Sequence, residues 1–220
     1  MTKKGKRKLF LGGVLVAAFV VWTVLIQTVD VKPVGQNGTD IGFATFNCWF
    51  HKWTGVHMTT YTITDWLGLL PLFICMIFGV IGLVQWVKRR SLVKVDYDLM
   101  ILGAYYILVM FGYVIFEIIP INYRPILING VVEASYPSSA VLLVLGVLPT
   151  LVEQMNRRTQ NAVLKRSIMI FVVLFSAYMV IGRLISGVHW FTDIIGSIFL
   201  SMGLFYIYKA VVILMHKESE

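Results

Sequence analysis

The sequence predicts an all-α membrane protein with about six transmembrane helices, and both termini are expected in the cytoplasm. Two observations predict this fold class. The mean hydropathy of +0.81 and the apolar content of 58% lie far above the values of soluble domains. The apolar residues also form long uncharged runs, and a run of roughly 20 residues is enough for a helix to cross a bilayer.

The basic residues support the same fold class by their positions. The formal net charge is +8, and most Lys and Arg residues lie in three clusters, at residues 3–8, 88–94 and 157–166. These clusters precede the first apolar run, follow the second, and separate the fourth from the fifth. Short cytoplasmic loops of membrane proteins are enriched in Lys and Arg, so the charge indicates topology and not nucleic-acid binding.

The apolar runs define six spans within a single domain that covers residues 1–220. Together with the charge clusters, they place the segments 29–65, 122–137 and 185–188 on the outer side of the membrane. The spans are predicted at Leu9–Thr28, Trp66–Val87, Leu99–Ile121, Ser138–Met155, Ile168–Leu184 and His189–Met215.

The segment 29–65 is the longest stretch outside the spans, and its second half mixes aromatic and polar residues in FNCWFHKWTGVHM. Tryptophan is enriched at membrane interfaces, so this segment is expected to lie in the interface. The sequence is compatible with an anchor and with a substrate-access route. His51 and His57 lack a neighbouring cluster of carboxylates, and no metal site is predicted.

Three ionisable residues interrupt the apolar sequence IGRLISGVHWFTDIIGS: Arg183, His189 and Asp193. Ionisable groups are costly at membrane depth, and they usually mark a site or a cavity. Residues four apart share a helix face, so His189 and Asp193 are expected to be in contact at the start of the sixth span. Ser186-Gly187 predicts a turn that brings Arg183, at the end of the fifth span, to the same outer surface.

This combination of side chains suits attack on a phosphoryl group. A carboxylate beside an imidazole raises its basicity or nucleophilicity, and an arginine offers a planar fork of donors for phosphate oxygens. The same residues are also compatible with a charge network that only holds the spans together. A second outer cluster favours the phosphoryl site, because Arg124-Pro125 precedes Pro137-Ser138-Ser139, and a helix start such as this one is a ready anion site.

With these motifs in order, the chain resembles the type 2 phosphatidic acid phosphatase family over roughly residues 60–215. The third motif of that family is Ser-Arg, five residues, His, three residues, Asp, and here Gly182 replaces the Ser before Arg183. The first motif is Lys, six residues, Arg-Pro, and it keeps Arg124-Pro125. The second is Pro-Ser-Gly-His or a close variant, and it keeps Pro137-Ser138-Ser139.

The resemblance implies a metal-independent phosphatase without a cofactor, whose core motifs span residues 117–193. It implies that His189 attacks phosphorus and forms a phosphohistidine, and that Asp193 orients His189 and balances its charge. Water would then release phosphate, and stabilisation of the equatorial oxygens supplies most of the catalysis. The groups implied to bind the phosphoryl oxygens are Arg124, Arg183, Ser138 and Ser139.

Two motif positions depart from the family. Glu117 replaces the first-motif Lys, and Ala140 replaces the second-motif His, which protonates the leaving oxygen in the family. Three explanations of Ala140 are open: a substitution made to trap substrate, a divergent branch whose substrate needs no acid, and a relative that binds or transports without turnover. Glu117 is compatible with an ion pair to a site arginine and with the role of the missing acid, for which Glu133 is a second candidate.

Leaving-group chemistry separates the substrates. A lipid alkoxide is about as basic as hydroxide, and water has a pKa near ~15.7, so the alkoxide needs a proton to depart. A lipid phosphate that leaves from a pyrophosphate titrates near ~6 and departs unprotonated. The sequence therefore predicts a phosphatase of the cell (plasma) membrane, acting at its extracytoplasmic face, with polyprenyl (undecaprenyl) pyrophosphate as the leading substrate.

Two alternatives stay open on the sequence. A phosphatase for phosphatidate or phosphatidylglycerophosphate keeps the same site with a different lipid, and a non-catalytic carrier of lipid phosphates keeps the site without turnover. His189 separates an enzyme from a carrier, because an enzyme needs a nucleophile at this position and a carrier needs only positive charge.

Overall fold

The computed structural model describes residues 3–216 and confirms the predicted all-α membrane fold. Within these residues, six helical segments are long and apolar enough to cross a membrane, and β-structure is limited to three isolated bridges. We call outer the side on which the loops 29–57, 119–138 and 186–190 lie. The helices are α1 (Lys3–Thr28), α2 (Ala44–Thr54), α3 (Met58–Leu67), α4 (Leu70–Arg89), α5 (Tyr97–Ile118), α6 (Ser139–Arg158), α7 (Ala162–Ile185) and α8 (Phe191–His216).

Several helix ends differ from the predicted spans by a few residues, and two of these differences lie at the outer side. The second candidate span consists of α3 and α4 together, separated only at Gly68 and Leu69. Pro71 has no N–H to donate to the carbonyl of Leu67, which explains why the helix is interrupted here. The last span begins at Phe191, so the prediction that His189 opens this helix is wrong, and His189 lies in the turn before it.

The central helix of the bundle is α6, which contacts α4, α5, α7 and α8. On its other side α8 packs along α1, whose Phe19 and Ile26 join the same core. Because other helices surround α6, side chains at its outer end are shielded from water. Its fully buried apolar residues include Val141, Leu142, Val144, Val147 and Leu148.

Charged side chains join the inner ends of α4, α5 and α6. Arg158 Nη2 donates to Asp98 Oδ2 over 2.8 Å, and Arg89 Nη1 donates to Asp96 Oδ1 over 2.8 Å. These pairs lie at the C-terminal end of α6, opposite the end that carries the predicted site residues. They therefore tie the helices together without entering the candidate site.

The outer loop between α5 and α6 forms a short hairpin. Asn129 and Gly130 both have positive φ values, 52° and 79°, as the type I′ turns of two-residue hairpins require. The residues on either side of this turn exchange backbone hydrogen bonds, and Arg124 N donates to Glu133 O over 3.0 Å. The hairpin therefore fixes the backbone of Arg124.

The outer segment 29–65 contains α2 and most of α3, and it packs on the turn between α7 and α8. His51 Nε2 lies 3.0 Å from the backbone oxygen of Gly187 in that turn. Trp49 and Trp53 on α2 are exposed, as expected of a helix in the membrane interface. The segment thus contacts the turn that carries His189 in addition to presenting interfacial aromatic residues.

Candidate active site

His189 lies in the turn between α7 and α8 and is buried, with 4% of its surface exposed. Its Nδ1 atom lies 3.0 Å from the backbone oxygen of Ser135. A carbonyl oxygen only accepts hydrogen bonds, so Nδ1 carries the proton and Nε2 presents its lone pair. The loop before α6 therefore sets the tautomer that a nucleophilic imidazole requires.

Asp193 lies in the first turn of α8, is fully buried, and binds different partners with its two carboxylate oxygens. Oδ2 accepts from Trp190 N over 2.9 Å, and Oδ1 accepts from Asn122 Nδ2 over 3.4 Å. The distance from Oδ2 to His189 Nδ1 is 3.7 Å, which is too long for a hydrogen bond. Ser135 thus supplies the orienting hydrogen bond, and Asp193 supplies a nearby negative charge.

The imidazole of His189 is neutral at physiological pH. Burial lowers its pKa to about 4, because the imidazolium form is costly away from water. The carboxylate of Asp193 opposes this shift in pKa, and the positive charges of Arg124 and Arg183 reinforce it. A neutral imidazole has the lone pair that a nucleophile needs.

We expect the imidazole of His189 to stay neutral down to about pH 5 in an NMR titration of the detergent-solubilised protein. The pKa is lowered, so protonation begins only well below the ordinary histidine value of about 6.5. The variant His189→Asn removes the signal and so assigns it, while the signals of His51 and His57 remain. A titration midpoint near the ordinary value would contradict this prediction.

Two arginines place guanidinium groups near this histidine. Arg183 lies at the end of α7 with its side chain 4% exposed, and Arg124 lies in the hairpin loop with its side chain 11% exposed. Arg183 Nη2 donates to Asp65 Oδ1 over 2.7 Å. Arg124 Nε lies 3.0 Å from Glu133 Oε2. Each arginine therefore keeps one carboxylate partner at the edge of the cluster.

Several buried polar atoms of this cluster have no hydrogen-bond partner within residues 3–216. A buried donor without a partner costs roughly 1–3 kcal/mol, and an anion with several oxygens would satisfy such donors. The ring of Tyr61 on α3 faces both arginines, with its centroid 5.0 Å from Arg183 Cζ and 5.8 Å from Arg124 Cζ. The unpartnered donors are Arg124 Nη1, Arg183 Nε, Arg183 Nη1 and the hydroxyls of Ser135 and Ser138.

Helix α6 begins at the helix start that was predicted from Pro137-Ser138-Ser139. Helix α6 begins at Ser139, with Ser138 as its N-cap residue, and the first N–H groups of a helix have no acceptor within it. Ser138 N donates to Asp193 O over 3.4 Å, which brings the second and third motifs together. Ala140 is buried in the first turn and carries no titratable group.

Glu117 is not joined to the site by the predicted ion pair. It is exposed in the last turn of α5, and none of the ion pairs within 4 Å among the described residues includes it. Arg124 pairs with Glu133 instead. Of the two alternatives for Glu117, the ion pair is therefore not formed among residues 3–216, while the role of Glu117 as an acid stays a prediction.

Three residues that the structure brings to this cluster were not predicted from the sequence: Tyr61, Asp65 and Ser135. Tyr61 and Asp65 belong to the segment 29–65, which was interpreted as interfacial, and aromatic and acidic residues are common in such a segment. Ser135 acts through its backbone oxygen, so its side-chain type carried no signal.

The fold and the buried cluster at the outer end of α6 define the class of this protein. It is a multi-pass membrane protein whose ionisable groups gather at one end of a helical bundle. The sequence model of the PAP2 superfamily matches residues 98–215, which is more than half of the chain. The chain belongs to the PAP2 superfamily and is a membrane lipid phosphatase. The resemblance predicted from the three motifs is confirmed.

The chain is also similar to a solved structure, described as that of the first transmembrane PAP2 type phosphatidylglycerolphosphate phosphatase from Bacillus subtilis. The two share 17% sequence identity with a TM-score of 0.62, over 94% of this chain and 98% of the other. At this identity the similarity shows a common fold. A comparison with curated proteins found no match.

Proposed function

We propose that this chain hydrolyses a lipid pyrophosphate through a phosphohistidine on His189, at the extracytoplasmic face of the plasma membrane. The neutral, buried imidazole of His189, beside two arginines with unpartnered buried donors, carries this proposal. Phosphoryl transfer needs a nucleophile and donors for the equatorial oxygens, and this cluster supplies both. The distribution of Lys and Arg supports cytoplasmic termini and an extracytoplasmic site.

In the first step His189 Nε2 attacks phosphorus, and the bond to the bridging oxygen breaks with its electron pair on that oxygen. The phosphorylated imidazole is positively charged, and the Asp193 carboxylate, 3.7 Å from Nδ1, stabilises it. Arg124, Arg183 and Ser138 Oγ bind the equatorial oxygens. Water then attacks phosphorus, the phosphorus–nitrogen bond breaks with its electron pair on Nε2, and the water proton leaves with the phosphate. The mechanism requires no metal ion, because the arginines supply the positive charge.

Ala140 favours a pyrophosphate as the substrate. Its side chain has no proton to give, and a leaving lipid phosphate with a pKa near ~6 departs without one. An alkoxide does not depart without a proton, because its conjugate acid is about as weak as water. Polyprenyl (undecaprenyl) pyrophosphate is therefore the proposed substrate.

We expect the purified protein in detergent to hydrolyse polyprenyl pyrophosphate with a kcat/KM at least about tenfold above that for phosphatidate, because the less basic leaving group needs less acid catalysis. Phosphate release is measured for both lipids, with His189→Ala as the blank. Faster turnover of phosphatidate would contradict the leaving-group argument, while release that persists in His189→Ala would contradict the phosphohistidine.

A second candidate function is hydrolysis of a glycerophospholipid phosphate, such as phosphatidate or phosphatidylglycerophosphate. The fold shared with the Bacillus subtilis structure, which is described as a phosphatidylglycerolphosphate phosphatase, favours this candidate. If neither lipid releases phosphate, Ala140→His tests whether the missing acid is the cause, because an enzyme that lacks only its acid regains turnover.

A further inference from the structure

A pocket of about 190 Å³ lies beside Ala140, between the outer parts of α3 to α7. Its lining combines polar groups with an apolar wall, to which Leu72 and Leu143 contribute. A leaving group that begins with a polar atom and continues as an alkyl chain matches this combination. The polar residues of the lining are Asp65, Tyr113, Ser139 and Arg183.

Asp65 contacts the arginine that borders this pocket. It lies in the last turn of α3, and its Oδ1 accepts from Arg183 Nη2 over 2.7 Å. The Asp65 side chain is 59% exposed, whereas that of Arg183 is 4% exposed. A carboxylate oxygen on this donor occupies a position like that of a phosphoryl oxygen in the proposed mechanism. A phosphate bound by Arg183 therefore lies next to Asp65.

Gly182 allows α3 to approach α7 closely enough for this contact. A β-carbon at position 182 would lie 2.8 Å from Thr64 Cγ2, a distance at which the Thr64 side chain or one of the helices must shift. Thr64 is fully buried and directly precedes Asp65. Gly182, where the family has Ser, is thus part of the packing that brings Asp65 to Arg183.

Among the polar groups of the pocket, the carboxyl group is best suited to protonate a leaving oxygen. A guanidinium does not give up its proton in proteins, and alcohols and phenols are weak acids. A phosphate that binds the unpartnered Nε and Nη1 donors of Arg183 lies beside the Asp65 carboxyl group, which contacts Nη2 of the same guanidinium.

We propose that Asp65 is a catalytic residue that protonates the leaving oxygen, and that it extends the activity of this site to alkyl phosphate monoesters of lipids. This role rests on the proposed phosphohistidine mechanism. The pyrophosphate needs no such proton, so the two substrate classes differ in their dependence on Asp65.

The proton and the electron pairs balance over two steps. First, His189 Nε2 bonds to phosphorus, the bond from phosphorus to the alkyl oxygen breaks with its pair on oxygen, and protonated Asp65 donates its proton there, so a neutral alcohol leaves. Second, a water oxygen bonds to phosphorus, the phosphorus–nitrogen bond breaks with its pair on Nε2, and the Asp65 carboxylate takes a proton from the water. Phosphate leaves, and both side chains return to their starting forms.

The test compares phosphatidate with polyprenyl pyrophosphate, using the full chain in detergent. We expect Asp65→Asn to lower the kcat for phosphatidate by about 10²-fold or more, the usual size of general acid catalysis, and that for the pyrophosphate by less than about tenfold. The matched control is Asp40→Asn, at an exposed carboxylate of the outer segment, which is expected to change neither. Ala140→His in the Asp65→Asn background should restore part of the phosphatidate turnover, because position 140 lines the same pocket.

Four results would overturn this role of Asp65. In Asp65→Asn, they are equal losses of turnover on both lipids, which would mean that Asp65 only positions Arg183, and unchanged turnover of phosphatidate. In the unaltered protein, the third is turnover of the pyrophosphate with none of phosphatidate. The fourth is a loss selective for phosphatidate in Glu117→Gln instead of Asp65→Asn. The variant His189→Ala keeps the two proposals apart. If it abolishes release while Asp65→Asn is unselective, the proposed function stands and the role of Asp65 does not. If release persists in it, the proposed function itself fails.

A measurement on the unaltered protein covers the case in which Asp65→Asn does not fold. When an acid protonates the leaving oxygen, the rate depends little on the basicity of the leaving alcohol. We expect kcat to vary little across a series of alkyl phosphates whose alcohols differ in acidity. A steep fall in kcat with rising basicity of the alcohol would overturn the proposal.

Discussion

Replacing His189 by Gln is expected to abolish the covalent phosphoenzyme and to slow phosphate release by more than about 10³-fold. Both steps of the proposed mechanism pass through Nε2, and an amide nitrogen has no lone pair available to attack phosphorus. The protein is mixed with radiolabelled polyprenyl pyrophosphate and quenched after one turnover. Label on the protein that survives alkali and is lost in acid identifies a phosphorus–nitrogen bond.

His57→Gln is the matched control for this experiment. His57 is exposed in the outer segment, and its Nε2 donates to Thr54 O over 2.9 Å, so it keeps a local role outside the site. We expect this variant to acquire label and to release phosphate like the unaltered protein. Labelling that persists in His189→Gln would place the covalent step on another residue and contradict the assignment.

Replacing Arg183 by Lys is expected to lower kcat/KM by about 10²-fold or more, although the positive charge is retained. The unpartnered Nε and Nη1 atoms of Arg183 are two donors held at fixed positions in the plane of one guanidinium group. The ammonium group of lysine is a point charge that cannot reproduce this geometry. The measurement is steady-state phosphate release with both lipids, together with a thermal unfolding scan of each variant.

Arg166→Lys provides the comparison, because Arg166 lies on the same helix, α7, and is exposed near its inner end. This variant is expected to retain the kcat/KM of the unaltered protein. If Arg183→Lys also stays within about threefold of the unaltered protein, the guanidinium of Arg183 does not bind the transition state, and the phosphate donors must lie elsewhere.

The start of α6 shows how far local sequence rules reach in this protein. Pro137-Ser138-Ser139 predicted a helix beginning at the outer surface, and the helix begins at Ser139. Proline and serine favour a helix start for reasons that lie within a few residues, so no knowledge of the bundle was needed. The same local spacing suggested that His189 lies inside the sixth span, and there it failed, because α8 begins only at Phe191.

The hairpin that holds Arg124 was missed although it has a sequence signal. Asn-Gly at positions 129–130, between apolar residues, is a strong indicator of a two-residue β-turn. The segment 122–137 was predicted only as an outer loop, and the pairing of Arg124 with Glu133 across the hairpin was not predicted. Asn129-Gly130 alone is enough to predict this hairpin.

The sequence by itself determined the membrane class, the number of spans, the predicted topology and the positions of the three motifs, because hydropathy, charge clusters and residue spacing are properties of short segments. Only the tertiary structure decided which groups touch. Asp65 meets Arg183 across 118 positions of the chain, and Ser135 meets His189 across 54. Both contacts depend on how closely α3 packs on α7 and on the path of the loop before α6, and distances of this kind are set by helix packing, which residue patterns along the chain do not encode.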